Sequence, residues 1–145
     1  TIQKEGHSVV ITNDISEEWR RHNSRYGRTW LVSMYARKRV FRVNTTPSEE
    51  LRLAISDSNE IDSKRQAMAK DVHLLEAAMA TDQKVLSLDD TVRKLFSKLC
   101  HQYSPIRVVF WLNPDTQNER VVEWLKLVPE YDQDYCLVHW TDEAQ

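Results

Sequence analysis

The chain has 145 residues, of which 41% are hydrophobic and 29% charged, and its formal net charge at pH 7 is −2. This length suits one domain with a sizeable core, so we predict a single domain over 1–145. Only two glycines are present, which excludes Gly-rich phosphate loops and with them P-loop and dinucleotide-binding proteins. Two cysteines without metal-site spacing indicate a reducing compartment, and no apolar run approaches membrane-spanning length. We therefore expect a cytoplasmic protein that does not bind a membrane.

Hydrophobic periodicity and capping residues predict alternating strands and helices along the chain. The first half of the chain is predicted to form a strand at 8–12, a helix from an N-cap at Asp14 to about Tyr26, a helix at 29–38, an edge strand or extended connection at 40–43 and a helix that starts at Thr46; Gly27 is expected to break the first of these helices. The second half is predicted to form a long helix at 62–81, a strand at 84–88, a helix from Asp89 or Asp90, a strand at 106–112, a last helix at 121–125 and a final strand at 135–140. This order predicts an α/β fold with a mostly parallel central sheet and helices on both faces.

Three acids are candidate ligands of one cation. Asp71 falls on the apolar side of the long helix, and Asp89 directly follows the strand at 84–88. Ligands of open α/β sheets bind in the crevice outside the strand ends, so these two carboxylates can converge. Glu18, in the first turn of the first helix, can supply a third carboxylate. Such an oxygen-rich cluster suits Mg²⁺ or Mn²⁺ and can activate water for attack on a phosphodiester.

Each of these acids also has a purely structural interpretation. Asp71 can be a solvated helix acid, and Asp89 can simply cap the helix that follows it. Glu18 can be a favourable negative charge near a helix N-terminus. No pair of histidines has the spacing of a zinc site, so we interpret His22 and His73 as surface or structural residues.

Positive charge is concentrated in the segment 20–42, which contains no acid. A mildly acidic protein can bind a polyanion locally through such a segment. We therefore predict that it contacts nucleic-acid phosphates; the alternative is a solvated cationic face on two amphipathic helices. The candidate residues are Arg20, Arg21, Arg25, Arg28, Arg37, Lys38 and Arg39.

The sequence resembles the PIN-like domains, the fold of metal-dependent ribonucleases that includes the toxins of bacterial toxin–antitoxin pairs. The resemblance rests on VVITNDISEEW at 9–19, DVHLLEAA at 71–78 and VLSLD at 85–89. The strand at 106–112, followed by Asn-Pro and a helix, extends it toward the C-terminus. The match covers most of the chain in order and spacing, although each motif is short.

The resemblance implies Mg²⁺- or Mn²⁺-dependent hydrolysis of RNA. It assigns Glu18, Asp71 and Asp89 as catalytic metal ligands, with Glu17 as the substitute for Glu18 and Asp90 as an additional ligand. It also implies that the chain is a toxin of a toxin–antitoxin pair, with RNA as substrate and an antitoxin-like protein as partner. The alternative is a catalytically impaired PIN-like module that binds nucleic acid or another protein.

The sequence departs from the family at the first acid, which in PIN-like domains ends the first, central strand. Nothing before Val9 matches that strand. The resemblance therefore implies either that a segment upstream of Thr1 belongs to the protein or that this is a variant without the acid. A sheet without its middle strand has two unpaired edges. We expect these to be covered by a homodimer, by a borrowed strand, or by 135–140, which would bring Asp142 toward the site.

Overall fold

The structure is a computed structural model and describes residues 6–22, 24–116, 121 and 136–139. Its helices are α1 (Asn13–His22), α2 (Arg25–Ala36), α3 (Glu49–Ser56), α4 (Asp62–Met79) and α5 (Asp90–Leu99), its strands are β1 (Val9–Ile11), β2 (Val40–Arg42), β3 (Lys84–Leu86) and β4 (Phe110–Leu112), and 3-10 turns cover Ser104–Val108 and Leu137–His139. β1 pairs in parallel with β2, and β3 pairs in parallel with β4. The α/β class and the parallel pairing are as predicted, but the four described strands form two separate pairs and not one central sheet.

The core lies around α4, which packs against α3, α5 and β3. Met68, Val72 and Leu75 recur at helical spacing and are fully buried. Helix α1 also contacts α4. Asp71, near the middle of α4, is half-buried. The predicted placement of this acid at the edge of the apolar face is therefore confirmed.

Local hydrogen bonds place two helix starts differently from the prediction. The hydroxyl oxygen of Thr12 accepts a hydrogen bond from the Ile15 amide at 3.2 Å, so Thr12 and not Asp14 caps α1. The hydroxyl oxygen of Ser24 accepts from the Gly27 amide at 3.0 Å and starts α2. Gly27 therefore lies in the first turn of a helix and does not break one.

The predicted strand at 106–112 is only partly correct. Ser104–Val108 forms a 3-10 helix, with Pro105 in its first turn, and the strand is confined to β4. Proline fixes its own φ and has no amide proton to donate to a strand, so it favours the helical turn here. The start of α3 also differs from the prediction. The hydroxyl of Ser48 accepts a hydrogen bond from the Leu51 amide, so α3 begins after Ser48 and not at Thr46.

The first strand of each pair, β1 or β3, has an outer edge that no other described strand covers. In β1 the peptide groups of Val9 and Ile11 bond to β2, so those of Val10 point to the opposite edge. In β3 the peptide groups of Val85 bond to β4, so those of Leu86 point away from it. Within the described part of the chain, no backbone group bonds to those of Val10 or Leu86.

The described C-terminal segment lies beside β4. Cys136 forms an antiparallel bridge with Phe110 on the edge of β4 that faces away from β3. This part of the segment therefore does not lie on the open edge of β1 or β3, and Leu137–His139 is a 3-10 turn and not the predicted strand. Asp142 and the helix predicted beyond Val121 lie outside the described residues.

Candidate metal site

Glu18 of α1 and Asp71 and His73 of α4 come together where these two helices meet. One ligand atom from each residue, a carboxylate oxygen or a ring nitrogen, lies within 4.8 Å of the other two. Both acids are half-buried, whereas His73 is 6% exposed. Two of the predicted acids thus converge, and we name this group the Glu18–Asp71–His73 cluster. Glu17, the predicted substitute for Glu18, is exposed and lies outside it.

The electrostatic surroundings of Asp71 disfavour its charge. Burial raises the pKa of the Asp71 carboxyl above its ordinary value, and the negative charge of Glu18 raises it further. Asp89 acts in the same direction more weakly, while Lys70 and His73 lower the pKa. A bound cation reverses this balance, because its positive charge offsets the repulsion between neighbouring carboxylates. The Glu18–Asp71–His73 cluster could therefore hold a metal ion.

His73 is the residue that sequence reasoning missed. Neither of its ring nitrogens has a hydrogen-bond partner in the described structure, and Nε2 lies 3.5 Å from Oε1 of Glu18. Of the two predicted roles, surface or structural, the first is excluded because the side chain of His73 is buried. Residues two apart on a helix do not normally face each other, so the spacing of Asp71 and His73 gave no signal. The two residues share a site because Glu18 reaches both.

Asp89 and Asp90 lie outside the cluster. The Oδ1 of Asp89 accepts a hydrogen bond from the Val92 amide at 2.9 Å and caps α5, which confirms its structural interpretation. Asp90 pairs with Arg93, whose Nε lies 3.5 Å from its Oδ1. The charge of Asp89 nevertheless reaches Asp71, and the cap uses only one of its two carboxylate oxygens. A ligand role for Asp89 or Asp90 remains a prediction.

Six of the seven predicted phosphate-binding cations are exposed. Arg39 is the exception, because it is half-buried and donates a hydrogen bond to a backbone carbonyl. Arg21 is three residues after Glu18, which makes them neighbours on the surface of α1. Trp19 stacks on Trp30 with ring centroids 5.9 Å apart and joins α1 to α2. The exposed six, whose side chains form no ion pair or hydrogen bond with other described residues, are Arg20, Arg21, Arg25, Arg28, Arg37 and Lys38.

Comparisons with protein-family models, curated proteins and solved structures found no match for this chain. The PIN-like resemblance therefore stays a prediction from the residues themselves. None of the described helices is both long enough and apolar enough to cross a membrane.

Proposed function

We propose that this chain is a PIN-like domain that hydrolyses phosphodiester bonds of RNA at a divalent-cation site. The observation that carries the proposal is the convergence of the Glu18 and Asp71 carboxylates from two helices onto one half-buried point. Half-buried carboxylates next to each other are unfavourable without a counter-charge, and a cation is the simplest one. Glu18 and Asp71 are the proposed ligands of Mg²⁺ or Mn²⁺, and Asp89 and Asp90 are proposed additional ligands.

The donor set fits such a cation. Carboxylate oxygens are preferred ligands of Mg²⁺ and Mn²⁺. A bound divalent cation would supply Lewis-acid polarisation of a phosphate oxygen and would neutralise the negative charge that develops on it. Glu18 and Asp71 would hold the cation where α1 contacts α4, and both acids are partly exposed to solvent, from which a phosphate group would approach.

The exposed cations of α1 and α2 support RNA as the substrate. Arg20 and Arg21 lie on the same helix as Glu18, and Arg25 and Arg28 lie at the start of α2. Their side chains bond to no described residue, so binding phosphates would break no interaction described within the protein. Salt-sensitive phosphate contacts supply most of the sequence-independent affinity for nucleic acid. We propose that these four residues hold the RNA backbone beside the cation.

The open strand edges agree with a PIN-like arrangement. A single parallel sheet would result if one further strand paired with β1 on one side and with β3 on the other. The peptide groups of Val10 and Leu86 are the ones that would receive it. We propose that the two strand pairs are the outer parts of one sheet, and that a strand from a second copy of the chain, from an antitoxin-like protein or from another segment occupies the centre.

The capping bond of Asp89 favours a second candidate function. Because Asp89 is engaged with the Val92 amide, the cluster brings together only two carboxylates among the described residues. A site with too few carboxylates binds metal weakly and activates water poorly. The chain would then be a PIN-like module that binds RNA or a protein without cleaving it.

The test is cleavage of an end-labelled single-stranded RNA during a titration with Mn²⁺. We expect metal-dependent cleavage, and we expect Asp71→Asn and Glu18→Gln to reduce it by about 100-fold or more. Asp82→Asn, which changes an exposed acid just after α4, is the matched control and should cleave like the wild type. RNA that is bound but left intact by the wild type would favour the binding module. Equal cleavage by all four proteins would reject this site.

A further inference from the structure

The two ring nitrogens of His73 are buried without a hydrogen bond. The side chain is 8% exposed, and no described group donates to or accepts from Nδ1 or Nε2. Buried polar groups in folded proteins are nearly always hydrogen-bonded, because an unpaired one costs free energy. Each exception needs a reason, and a missing ion is one of the established reasons. The surroundings of this imidazole decide whether that reason applies.

The imidazole is directed at the two acids. Nε2 lies 3.5 Å from Oε1 of Glu18, and the ligand atoms of Glu18, Asp71 and His73 all lie within 4.8 Å of one another. Two atoms that bind one cation at about 2.1 Å lie about 3.0 Å apart at a right angle and about 4.2 Å apart when opposite. The separation of Nε2 from Oε1 falls inside that interval, so one cation can contact both atoms.

We infer that Nε2 of His73 is the third protein ligand of the cation held by Glu18 and Asp71, and that the site selects Mn²⁺ over Mg²⁺. Imidazole nitrogen is a good ligand for transition metals, whereas Mg²⁺ takes oxygen ligands and keeps much of its water. The nitrogen therefore adds to the affinity for Mn²⁺ and adds little for Mg²⁺. The inference rests on the metal site of the proposed function and is independent of whether RNA is the substrate.

The test measures metal binding and not catalysis. Binding of Mn²⁺ to the wild-type chain is followed by the loss of the electron paramagnetic resonance signal of the free ion, and Mg²⁺ affinity is obtained by competition. We expect the wild type to bind Mn²⁺ about 10-fold or more tightly than Mg²⁺. His73→Phe should weaken Mn²⁺ binding by about 10-fold or more and Mg²⁺ binding by less than about 3-fold. His101→Phe, at an exposed histidine after α5, is the control and should change neither affinity.

A second measurement on the unmutated chain covers the case in which His73→Phe does not fold. Electron spin echo modulation of the Mn²⁺-loaded wild type should show coupling to a ¹⁴N nucleus, and histidine labelled with ¹⁵N should change that coupling. Nitrogen coupling that the ¹⁵N label changes identifies a histidine ligand in the unmutated chain. Where His73→Phe folds, loss of the coupling in it but not in His101→Phe assigns that ligand to His73. Bound Mn²⁺ without nitrogen coupling overturns the inference and leaves the carboxylate site of the proposed function intact. A wild type that binds neither metal overturns both.

Discussion

The Nε2 of His73 in α4 lies 3.5 Å from the Oε1 of Glu18 in α1, although the two helices are distant in sequence. Their proximity depends on how α1 packs on α4 and is not a property of either helix alone. Trp19, the residue after Glu18, stacks on Trp30 of α2 and joins α1 to its neighbour. The position of the cluster is thus determined by how the helices pack.

The charge of Asp71 should destabilise the metal-free protein. Because burial and Glu18 raise its pKa, the folded chain holds the Asp71 proton more tightly than the unfolded chain does. The stability from this group is therefore present at low pH and is lost as pH rises from the unfolded value of 3.8 through the higher folded one. In urea unfolding with a chelator, we expect Asp71→Asn to be about 0.5–1 kcal/mol more stable than the wild type at neutral pH, a figure discounted for solvent screening.

The increase in the free energy of unfolding caused by Asp71→Asn should become smaller as the pH is lowered. At low pH the Asp71 carboxyl of the wild type carries its proton in both the folded and the unfolded chain. Asp82→Asn is the matched control and should change the stability by no more than about 0.5 kcal/mol at any of these pH values. A variant Asp71→Asn that is less stable than the wild type at neutral pH would contradict the assignment of an unfavourable charge.

The ion pair between Arg52 and Glu76 should contribute to the free energy of unfolding. Glu76 is 4% exposed in its side chain, and its Oε1 lies 2.8 Å from Nη2 of Arg52, which pairs α3 with α4. The hydrogen bond from Arg52 Nε to the other carboxylate oxygen makes the contact bidentate. Arg52→Ala leaves a buried carboxylate without its cation, so we expect a loss of about 2–3 kcal/mol, reduced from the fully buried case because Arg52 is partly exposed.

The control for Arg52→Ala is Arg65→Ala, which breaks the exposed pair with Asp62 and should cost less than about 1 kcal/mol in the same urea experiment. The double variant Arg52→Leu/Glu76→Leu should recover part of the loss, because it removes the buried charge as well. Equal losses for Arg52→Ala and Arg65→Ala would show that the buried carboxylate is not the cause.

Cys100 should react slowly in the folded protein. Its side chain is fully buried, and its Sγ donates a hydrogen bond to the carbonyl of Ser97 at 2.9 Å. Burial raises the pKa of the thiol above its ordinary 9.0, although Arg107 opposes the change. Only the thiolate is nucleophilic, so an alkylating reagent at pH about 8 should modify Cys100 only when unfolding exposes its side chain. Mass spectrometry should therefore show modification of Cys100 at the rate of unfolding. Rapid modification without denaturant would contradict the buried placement.

The raised pKa of Cys100 also predicts a pH dependence at the alkaline end. The folded chain holds the thiol proton more tightly than the unfolded chain, so stability falls as pH rises above the unfolded value of 9.0. Cys100→Ala should be less stable than the wild type at neutral pH by about 1 kcal/mol because a buried group is lost. The stability of Cys100→Ala should then fall less than that of the wild type as the pH rises above 9.0.

Arg20 and Arg21, in the last turn of α1, should set the salt dependence of RNA binding. Each phosphate contact to single-stranded nucleic acid contributes a slope of about −0.7 to the plot of log affinity against log salt. The double variant Arg20→Gln/Arg21→Gln should therefore reduce the slope by about 1.4. Lys94→Gln/Lys98→Gln removes the same charge from exposed positions of α5 and should leave the slope unchanged. Equal changes in both variants would indicate an effect of net charge alone.

Several elements could be predicted from the sequence because a local signal dominates them. The 3.6-residue period of α4, with Met68, Val72 and Leu75 buried, identified the central helix. Asp89 caps α5 as its position before an amphipathic run indicated. The half-buried position of Asp71 followed from the same period. In each of these cases the deciding interaction lies within a few residues of the chain.

Other features could not be predicted because competing local signals or distant packing decide them. Ser24 starts a helix through Gly27, since a capping hydroxyl outweighs the weak helix propensity of one glycine. Pro105 turns the first half of an apolar run into a 3-10 helix. His73 joins the acids only because α1 crosses α4 nearby. The cluster therefore depends on the tertiary structure, and the place of His73 in it could not be predicted from the sequence.

The measurement that tests the central claim most directly is thermal unfolding of the chain during a Mn²⁺ titration, with Asp71→Asn and the control Asp82→Asn alongside. Metal that binds only the folded state stabilises it, and we predict a gain of about 1–3 kcal/mol at saturating Mn²⁺ for the wild type and for Asp82→Asn. Asp71→Asn should show no gain. Equal gains in all three proteins, or no gain in any of them, would contradict a cation site built by Glu18, Asp71 and His73.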